Sequence, residues 1–129
     1  MSWEPISAEN DRIGGLVVDA AYRVHRTLGP GLLESVYEVC FCHELRKSRL
    51  SVQRQVAVPI IYDGLSLDDG LRLDVLVEEK VICELKACES HPVHFAQILS
   101  HLKLSGLRLG FLINFHTRWI KHGIKRVAA

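Results

Sequence analysis

Two apolar runs separated by only three residues constrain the fold more than any other feature of the chain. The runs cover residues 71–77 and 81–87, and Glu78, Glu79 and Lys80 lie between them. Both runs alternate apolar and polar positions with the period of two that is typical of a β-strand. A connection of three charged residues is short enough to join neighbouring strands. The sequence therefore predicts an antiparallel hairpin.

The register of this hairpin decides which charged side chains meet. Pairing the residues next to the loop places Asp74 opposite Glu84 and Arg72 opposite Lys86. The other face then holds the apolar residues Leu73, Val75, Cys83 and Leu85. Two facing carboxylates repel each other, so a half-buried sheet needs a cation to compensate them. A divalent metal ion held by both acids is one explanation, and a solvated salt-bridge ladder is the other.

The acidic pair and the lysine also carry a family resemblance. Asp74, followed ten residues later by Glu84-x-Lys86 in an apolar strand, resembles the signature of the PD-(D/E)XK nuclease superfamily. Leu73 replaces the proline that usually precedes the aspartate. The resemblance implies that Asp74 and Glu84 bind Mg²⁺ or Mn²⁺, and that Lys86 holds the attacking water or contacts the phosphate. Because Mg²⁺ prefers oxygen ligands, the Leu85 carbonyl is a further candidate ligand.

Three other segments, in the expected order, extend this resemblance. Residues 31–37 fit a GxxExxY motif, Gln97 lies in a later predicted helix, and residues 110–115 resemble the last core strand. The whole set resembles the GxxExxY protein family within the same superfamily. This resemblance assigns Glu34 to the metal site, either directly or through a water. Taken alone, Glu34 is a first-turn acid that complements the helix dipole.

The remaining candidate site residues belong to the helix motif and to the later helix. Gln97 resembles the glutamine of a QxxxY pattern, which is expected near the substrate or the lysine, and His101 occupies the position of its tyrosine. His94, Gln97 and His101 would share one helix face. Tyr37 is predicted to pack beside the motif glutamate or to donate a hydrogen bond to it. The candidate substrate contacts are Tyr37, Arg72 and His101. The candidate catalytic residues are Glu34, Asp74, Glu84, Lys86 and Gln97.

The order of the predicted elements indicates an α/β fold. Helices are predicted over residues 9–28, 32–48 and 92–105, and strands over residues 51–62, 71–77, 81–87 and 107–115. The order ααβββαβ favours a parallel last pair of strands and a mixed sheet with helices on its faces. The resemblance implies a restriction-endonuclease-like core with four strands or slightly more. The tail, residues 117–129, is a candidate edge strand. The predicted buried stripe of the third helix is Phe95, Leu99 and Leu102.

Composition limits the classes of protein that fit the chain. A length of 129 residues suits one domain over residues 1–129, and no apolar stretch approaches the length that crosses a bilayer. The N-terminus lacks a basic segment followed by an apolar one, so a cytoplasmic location is expected. No two of the four cysteines have CxxC spacing, which favours free thiols over a cluster or zinc site.

The overall charge gives little help in choosing a partner. A net charge of +1 attracts a polyanion only weakly, so nucleic-acid binding must depend on a local patch. Basic residues cluster at 46–54 and at 118–126. Such clusters form nucleic-acid patches in some proteins and serve only solubility in others.

These observations favour a nuclease that hydrolyses phosphodiester bonds with a water activated by Mg²⁺ or Mn²⁺. A nucleic acid is then the partner, with DNA favoured over RNA, and no membrane contact is expected. The alternative is a non-catalytic nucleic-acid- or protein-binding module that retains the nuclease fold. A structural protein that forms a homo-oligomer is a third possibility.

Overall fold

Three helices and five strands make up residues 4–129, the part of the chain that the computed structural model describes. The helices are α1 (Ala8–Leu28), α2 (Glu34–Lys47) and α3 (Pro92–Ser105), and a short 3₁₀ turn covers Ile120–His122. The strands are β1 (Val52–Tyr62), β2 (Leu65–Val77), β3 (Val81–Lys86), β4 (Leu109–Asn114) and β5 (Ile124–Ala128). Residues 1–3, on which part of the expectation about the N-terminal segment depends, lie outside the described part.

All five strands form one mixed sheet in the order β1-β2-β3-β4-β5. The pairs β1–β2, β2–β3 and β4–β5 are antiparallel, whereas β3 and β4 are parallel and α3 connects them. The structure therefore confirms the α/β class, the order ααβββαβ and the parallel pair of strands that the third helix connects. The tail adds β5 as an edge strand, so the sheet has five strands.

Helices cover both faces of the sheet. One core contains the apolar residues of α1 and α2 with the residues of β2, β3 and β4 that face them, and a second core lies between the sheet and α3. Close packing explains the early glycine of α1, because a Cβ at Gly14 would come within 3.0 Å of the Phe111 ring. No helix within residues 4–129 is long and apolar enough to cross a membrane.

Two predictions about the core are wrong. Leu73 packs with the α3 side of the sheet, whereas Val75, Cys83 and Leu85 pack with α1 and α2. In α3, Ile98 and Leu102 are buried, while Phe95 and Leu99 are exposed. Helix α3 lies on the sheet along a narrow line, so only one row of its apolar residues reaches the core. Phe95 and Leu99 lie beside that row and remain in contact with solvent.

Candidate functional site

The β2–β3 hairpin opens at the acidic residues. Its ladder contains the pairs Val77↔Val81, Leu76↔Ile82 and Val75↔Cys83, which is the predicted register. Beyond the last pair, the Asp74 side chain replaces the backbone of β2: its Oδ2 accepts a hydrogen bond from the Leu85 amide at 3.0 Å. The ladder thus ends immediately before the two acidic residues, Asp74 and Glu84.

The predicted pairing of Arg72 with Lys86 is wrong, because β2 turns away with β1 at this point. Arg72 pairs with Ala57 of β1, and its Nη1 donates to the Gln55 carbonyl at 3.1 Å. Gln55 has a φ of 52°, which is uncommon for a residue other than glycine, and it leaves a gap in the β1–β2 register opposite Asp74. At this position β2 stays paired with β1, while its pairing with β3 has ended.

The opening places the Leu85 backbone at the acidic pair. In a strand, the amide and the carbonyl of one residue point toward the same neighbouring strand. The Leu85 amide already binds the Asp74 carboxylate, so the Leu85 carbonyl lies on the same side of β3, beyond the last ladder pair. This position suits the predicted role of the carbonyl as a metal ligand.

Glu84 is a buried acid with a strongly shifted pKa. Its residue surface is 5% exposed, and its Oε1 lies 2.6 Å from His101 Nδ1. Burial, together with the negative charge and the carboxyl group of Asp74, raises the pKa of Glu84 to about 9. Burial also lowers the pKa of His101. The predicted substrate contact His101 therefore has a different immediate partner, the Glu84 carboxyl group.

Glu34 approaches the acidic pair from the first turn of α2. Burial raises the pKa of Glu34, the charge of Asp74 raises it further, and the ammonium of Lys86 opposes both effects. The three side chains therefore lie within range of one another's charges. Helix α2 starts at Glu34, two residues later than predicted, so this acid is the first residue of the helix.

Tyr37 supports the loop before α2, and its predicted direct contact with substrate is wrong. The side chain is fully buried and its ring stacks on Phe115 with centroids 4.5 Å apart. Its hydroxyl donates to the Gly29 carbonyl at 2.5 Å and accepts from the Leu32 amide at 3.1 Å. Tyr37 thus fixes the chain that leads into Glu34.

One face of α3 lies over the site, as the spacing of its polar residues predicts. His101 contacts Glu84 at one end of this face. At the other end, burial lowers the pKa of His94, and the positive charge of Lys86 lowers it further. Gln97 lies between the two histidines along the helix and is exposed. Lys86 is half-buried and lies two residues along β3 from Glu84, so both side chains project from the same face.

The predicted gathering of three acids around one point is not present. Within residues 4–129, no group of three or more His, Cys, Asp or Glu side chains is close enough to hold a metal ion together. Asp74 and Glu84 form a close pair, whereas Glu34 acts on them through its charge. Mg²⁺ commonly uses one or two protein carboxylates and keeps several waters, so two coupled acids and a carbonyl still fit this ion.

The sequence patterns did not predict an ion pair beside the site, between the buried Glu38 and the exposed Arg54. Glu38 accepts hydrogen bonds from Arg54 Nε at 3.0 Å, Arg54 Nη2 at 2.7 Å and Gln55 Nε2 at 2.8 Å. These bonds join α2 to β1 at Arg54 and at Gln55, the residue with positive φ. The spacing of Glu38 one turn after Glu34 was the available signal, but it did not identify the partners on β1.

Comparison with known proteins agrees with this arrangement. A family model described as the PD-(D/E)XK nuclease superfamily matches residues 11–127, which is most of the chain. Searches of the curated proteins and of the solved structures found no significant match. The α/β order, with a mixed sheet and helices on both faces, is consistent with the restriction-endonuclease-like fold of that superfamily. The chain belongs to the PD-(D/E)XK nuclease superfamily.

Proposed function

We propose that the protein is a nuclease that hydrolyses nucleic-acid phosphodiester bonds with Mg²⁺ or Mn²⁺. The observation that carries this proposal is the pair of coupled carboxylates, Asp74 and Glu84, at the opening of the hairpin with Lys86 beside them. Mutual repulsion raises the free energy of having both acids ionised, and a divalent cation would relieve it. Membership of the superfamily supports a nuclease-type function.

Each residue of the site has a distinct task in this proposal. Asp74, Glu84 and the Leu85 carbonyl would hold the cation, and Glu34 would bind one of its waters. When bound, the cation supplies Lewis acidity to the phosphate and lowers the pKa of the attacking water. The Lys86 ammonium holds that water or neutralises a phosphoryl oxygen. His101 holds the Glu84 carboxyl group in place through their 2.6 Å contact.

The exposed polar residues near the site are candidates for contact with the nucleic acid. Gln97 lies on the α3 face between His94 and His101, where its amide is open to solvent. Arg72 is exposed on β2, and one nitrogen of its guanidinium binds the β1 backbone. Both are proposed to orient the phosphate backbone, with DNA favoured over RNA.

We also infer that the chain is a member of the GxxExxY family, because each residue of the motif has a local function. Gly31 has a φ of 101°, which side-chain-bearing residues rarely adopt. Glu34 carries the acid to the site, and Tyr37 binds the loop that contains the glycine. The three motif residues therefore act together to position helix α2 and its first acidic side chain.

Cleavage of a panel of single- and double-stranded DNA and RNA with Mg²⁺ or Mn²⁺ tests the nuclease proposal. Wild-type protein should cleave at least one polymer, and Lys86→Gln should lower the rate by about 10²-fold or more. Lys103→Gln is the matched control, because Lys103 is an exposed lysine of α3. The proposal fails if no polymer is cleaved, or if both variants cleave as fast as the wild type.

Two observations favour the second candidate, a non-catalytic nucleic-acid-binding module. The pKa of Glu84 near 9 keeps its carboxyl group protonated at neutral pH without a cation, and no third acid from the described residues 4–129 is close enough to complete a metal site. Such a module would bind nucleic acid and leave it intact at saturating Mn²⁺. The same panel, followed by binding measurements on the uncleaved polymers, separates the two functions.

A further inference from the structure

Two neighbouring cavities extend from the candidate site along one edge of the sheet. A small one of about 30 Å³ is lined by Lys86, His94, Phe95 and Lys125. A larger one of about 770 Å³ is lined by Tyr22, Arg26, Arg118, Trp119 and Lys121. His122 lines both cavities, so they adjoin each other at this residue. We call the two adjoining cavities the Trp119 path.

The charge of the Trp119 path is of one sign. Its permanent cations are Lys86, Lys125, Arg26, Arg118 and Lys121. No Asp or Glu within residues 4–129 lines either cavity. Because the whole chain has a net charge of only +1, this surface concentrates positive charge that the molecule otherwise balances. A strip of cations without acids suits a row of phosphate groups.

Exposed aromatic rings lie among these cations. Trp119 is 57% exposed, and the Arg118 guanidinium carbon lies 5.1 Å from its ring centroid. Tyr22, in the same cavity, is 43% exposed. Phe95 is 38% exposed in the small cavity, with Lys125 Nζ 5.9 Å from its ring centroid. Aromatic rings beside cations bind single strands, because unpaired bases stack on the rings while the cations contact the backbone.

The Trp119 path starts at Lys86, and hydrogen bonds hold the segment after β4 that forms much of it. Lys86 pairs with Asn114 at the ends of two parallel strands, so the segment after β4 lies at the same sheet edge as the lysine. His25 Nε2 donates to the Thr117 carbonyl at 2.7 Å, which attaches this segment to α1. The Asn114 amide donates to the Gly123 carbonyl at 2.8 Å and closes the segment.

We propose that the Trp119 path binds a single-stranded stretch of nucleic acid that leads from the phosphodiester at Lys86. Unpaired bases stack on Phe95 and Trp119, and the intervening phosphates contact the lysines and arginines. A duplex hides the faces of its bases within the helix and cannot make these stacking contacts. The direction of the strand rests on the proposed nuclease function, but the binding itself requires no metal and no cleavage.

Fluorescence anisotropy in a chelating buffer tests this inference with the full chain. The probes are a labelled DNA strand, an RNA strand of the same sequence and the corresponding DNA duplex. At least one of the two single strands should bind more tightly than the duplex. Trp119→Ala should weaken single-strand binding about tenfold, since stacking contributes ~1–3 kcal/mol per base. Lys121→Ala should weaken binding and reduce the salt dependence by about one phosphate contact.

Matched variants keep the test specific. Tyr62→Ala removes an aromatic ring that is 70% exposed on β1, and Lys80→Ala removes a lysine at the β2–β3 turn, so both should bind like the wild type. Trp119→Phe should recover most of the binding, and thermal unfolding should confirm that every variant folds. The inference is overturned if the duplex binds at least as tightly as both strands, or if Trp119→Ala binds like Tyr62→Ala.

The two proposals fail in different experiments. Loss of single-strand binding in Trp119→Ala without cleavage of any polymer by the wild type would support the path and remove the nuclease function. Cleavage of nucleic acid by a protein whose Trp119→Ala variant binds single strands normally would remove the path alone.

Discussion

The two halves of the β2–β3 hairpin differ in what holds them together. The closed half contains three backbone pairs, and its side chains are buried on both faces of the sheet. The open half begins at Asp74, where a carboxylate replaces a strand as the partner of the Leu85 amide. In the closed half, the backbone groups are hydrogen-bonded and the apolar side chains are buried, and both stabilise the fold. The open half leaves two acids close together, which costs stability and provides a site for a cation.

Replacing the acid of the open half tests this division most strongly. Asp74→Asn preserves an oxygen that can accept the Leu85 hydrogen bond but removes the charge that raises the Glu84 pKa. We expect cleavage to fall about 10³-fold, while the melting temperature stays equal or rises, because without the Asp74 charge the folded state disfavours ionisation of Glu84 less. Asp69→Asn, at an exposed position of β2, is the control. A large drop in melting temperature would show that the acid stabilises the fold instead.

Truncation in the closed half should have the opposite effect. Ile82 is fully buried between the sheet and α3, so Ile82→Ala should lower the free energy of unfolding by about 2–5 kcal/mol. Urea denaturation measures this change. Below the unfolding transition, cleavage per folded molecule should remain close to that of the wild type. A loss of cleavage without a loss of stability would contradict the conclusion that the closed half serves to stabilise the fold.

The stability of the metal-free protein should depend on pH through Glu84. Its folded pKa of about 9 lies above the ordinary glutamate value of 4.5, so the folded state binds the proton more tightly. The stabilising contribution is complete below pH 4.5 and is lost as the pH rises toward 9. Because a cation must displace this proton, stabilisation by Mg²⁺ should increase over the same interval.

Melting temperatures at several pH values, with chelator and with Mg²⁺, measure both effects. Glu84→Gln has no titrating group at this position, so its metal-free melting temperature should vary less over the interval. Equal pH dependence of the melting temperature in the wild type and in Glu84→Gln would show that titration of Glu84 does not set the stability of the metal-free protein.

The smallest expected effect concerns the loop that carries Glu34 to the open half. Tyr37→Phe keeps the stack on Phe115 but removes hydrogen bonds to Gly29 and Leu32. We expect the free energy of unfolding to fall by about 1–2 kcal/mol, and cleavage to fall severalfold as Glu34 loses its support. Tyr62→Phe is the control, and chemical denaturation with rate measurements gives both quantities. Unchanged cleavage would separate Glu34 from catalysis.

The period of two and the short loop were enough to predict the register of the closed half. Local patterns also predicted the three helices within two residues at each end, and the order ααβββαβ of the elements along the chain. These features depend on interactions between residues that are near in sequence, or on the general rule for connecting parallel strands.

The details of the open half depend on contacts between distant residues, so the sequence did not predict them. The positive φ that interrupts the β1–β2 register occurs at Gln55 of β1, and nothing in the hairpin sequence indicates it. The burial of Tyr37 depends on Phe115, and the contact of His101 with Glu84 depends on how α3 lies across the sheet. The family resemblance predicted which residues approach one another, but it did not predict which of them would touch.

Isothermal titration with Mn²⁺ at pH 8 tests the central claim most directly, because binding is measured apart from any choice of nucleic acid. The account predicts that one Mn²⁺ binds to the wild type and to Asp69→Asn, and that Asp74→Asn loses this binding. Absence of binding in the wild type, or equal binding in Asp74→Asn, would contradict a cation site between Asp74 and Glu84.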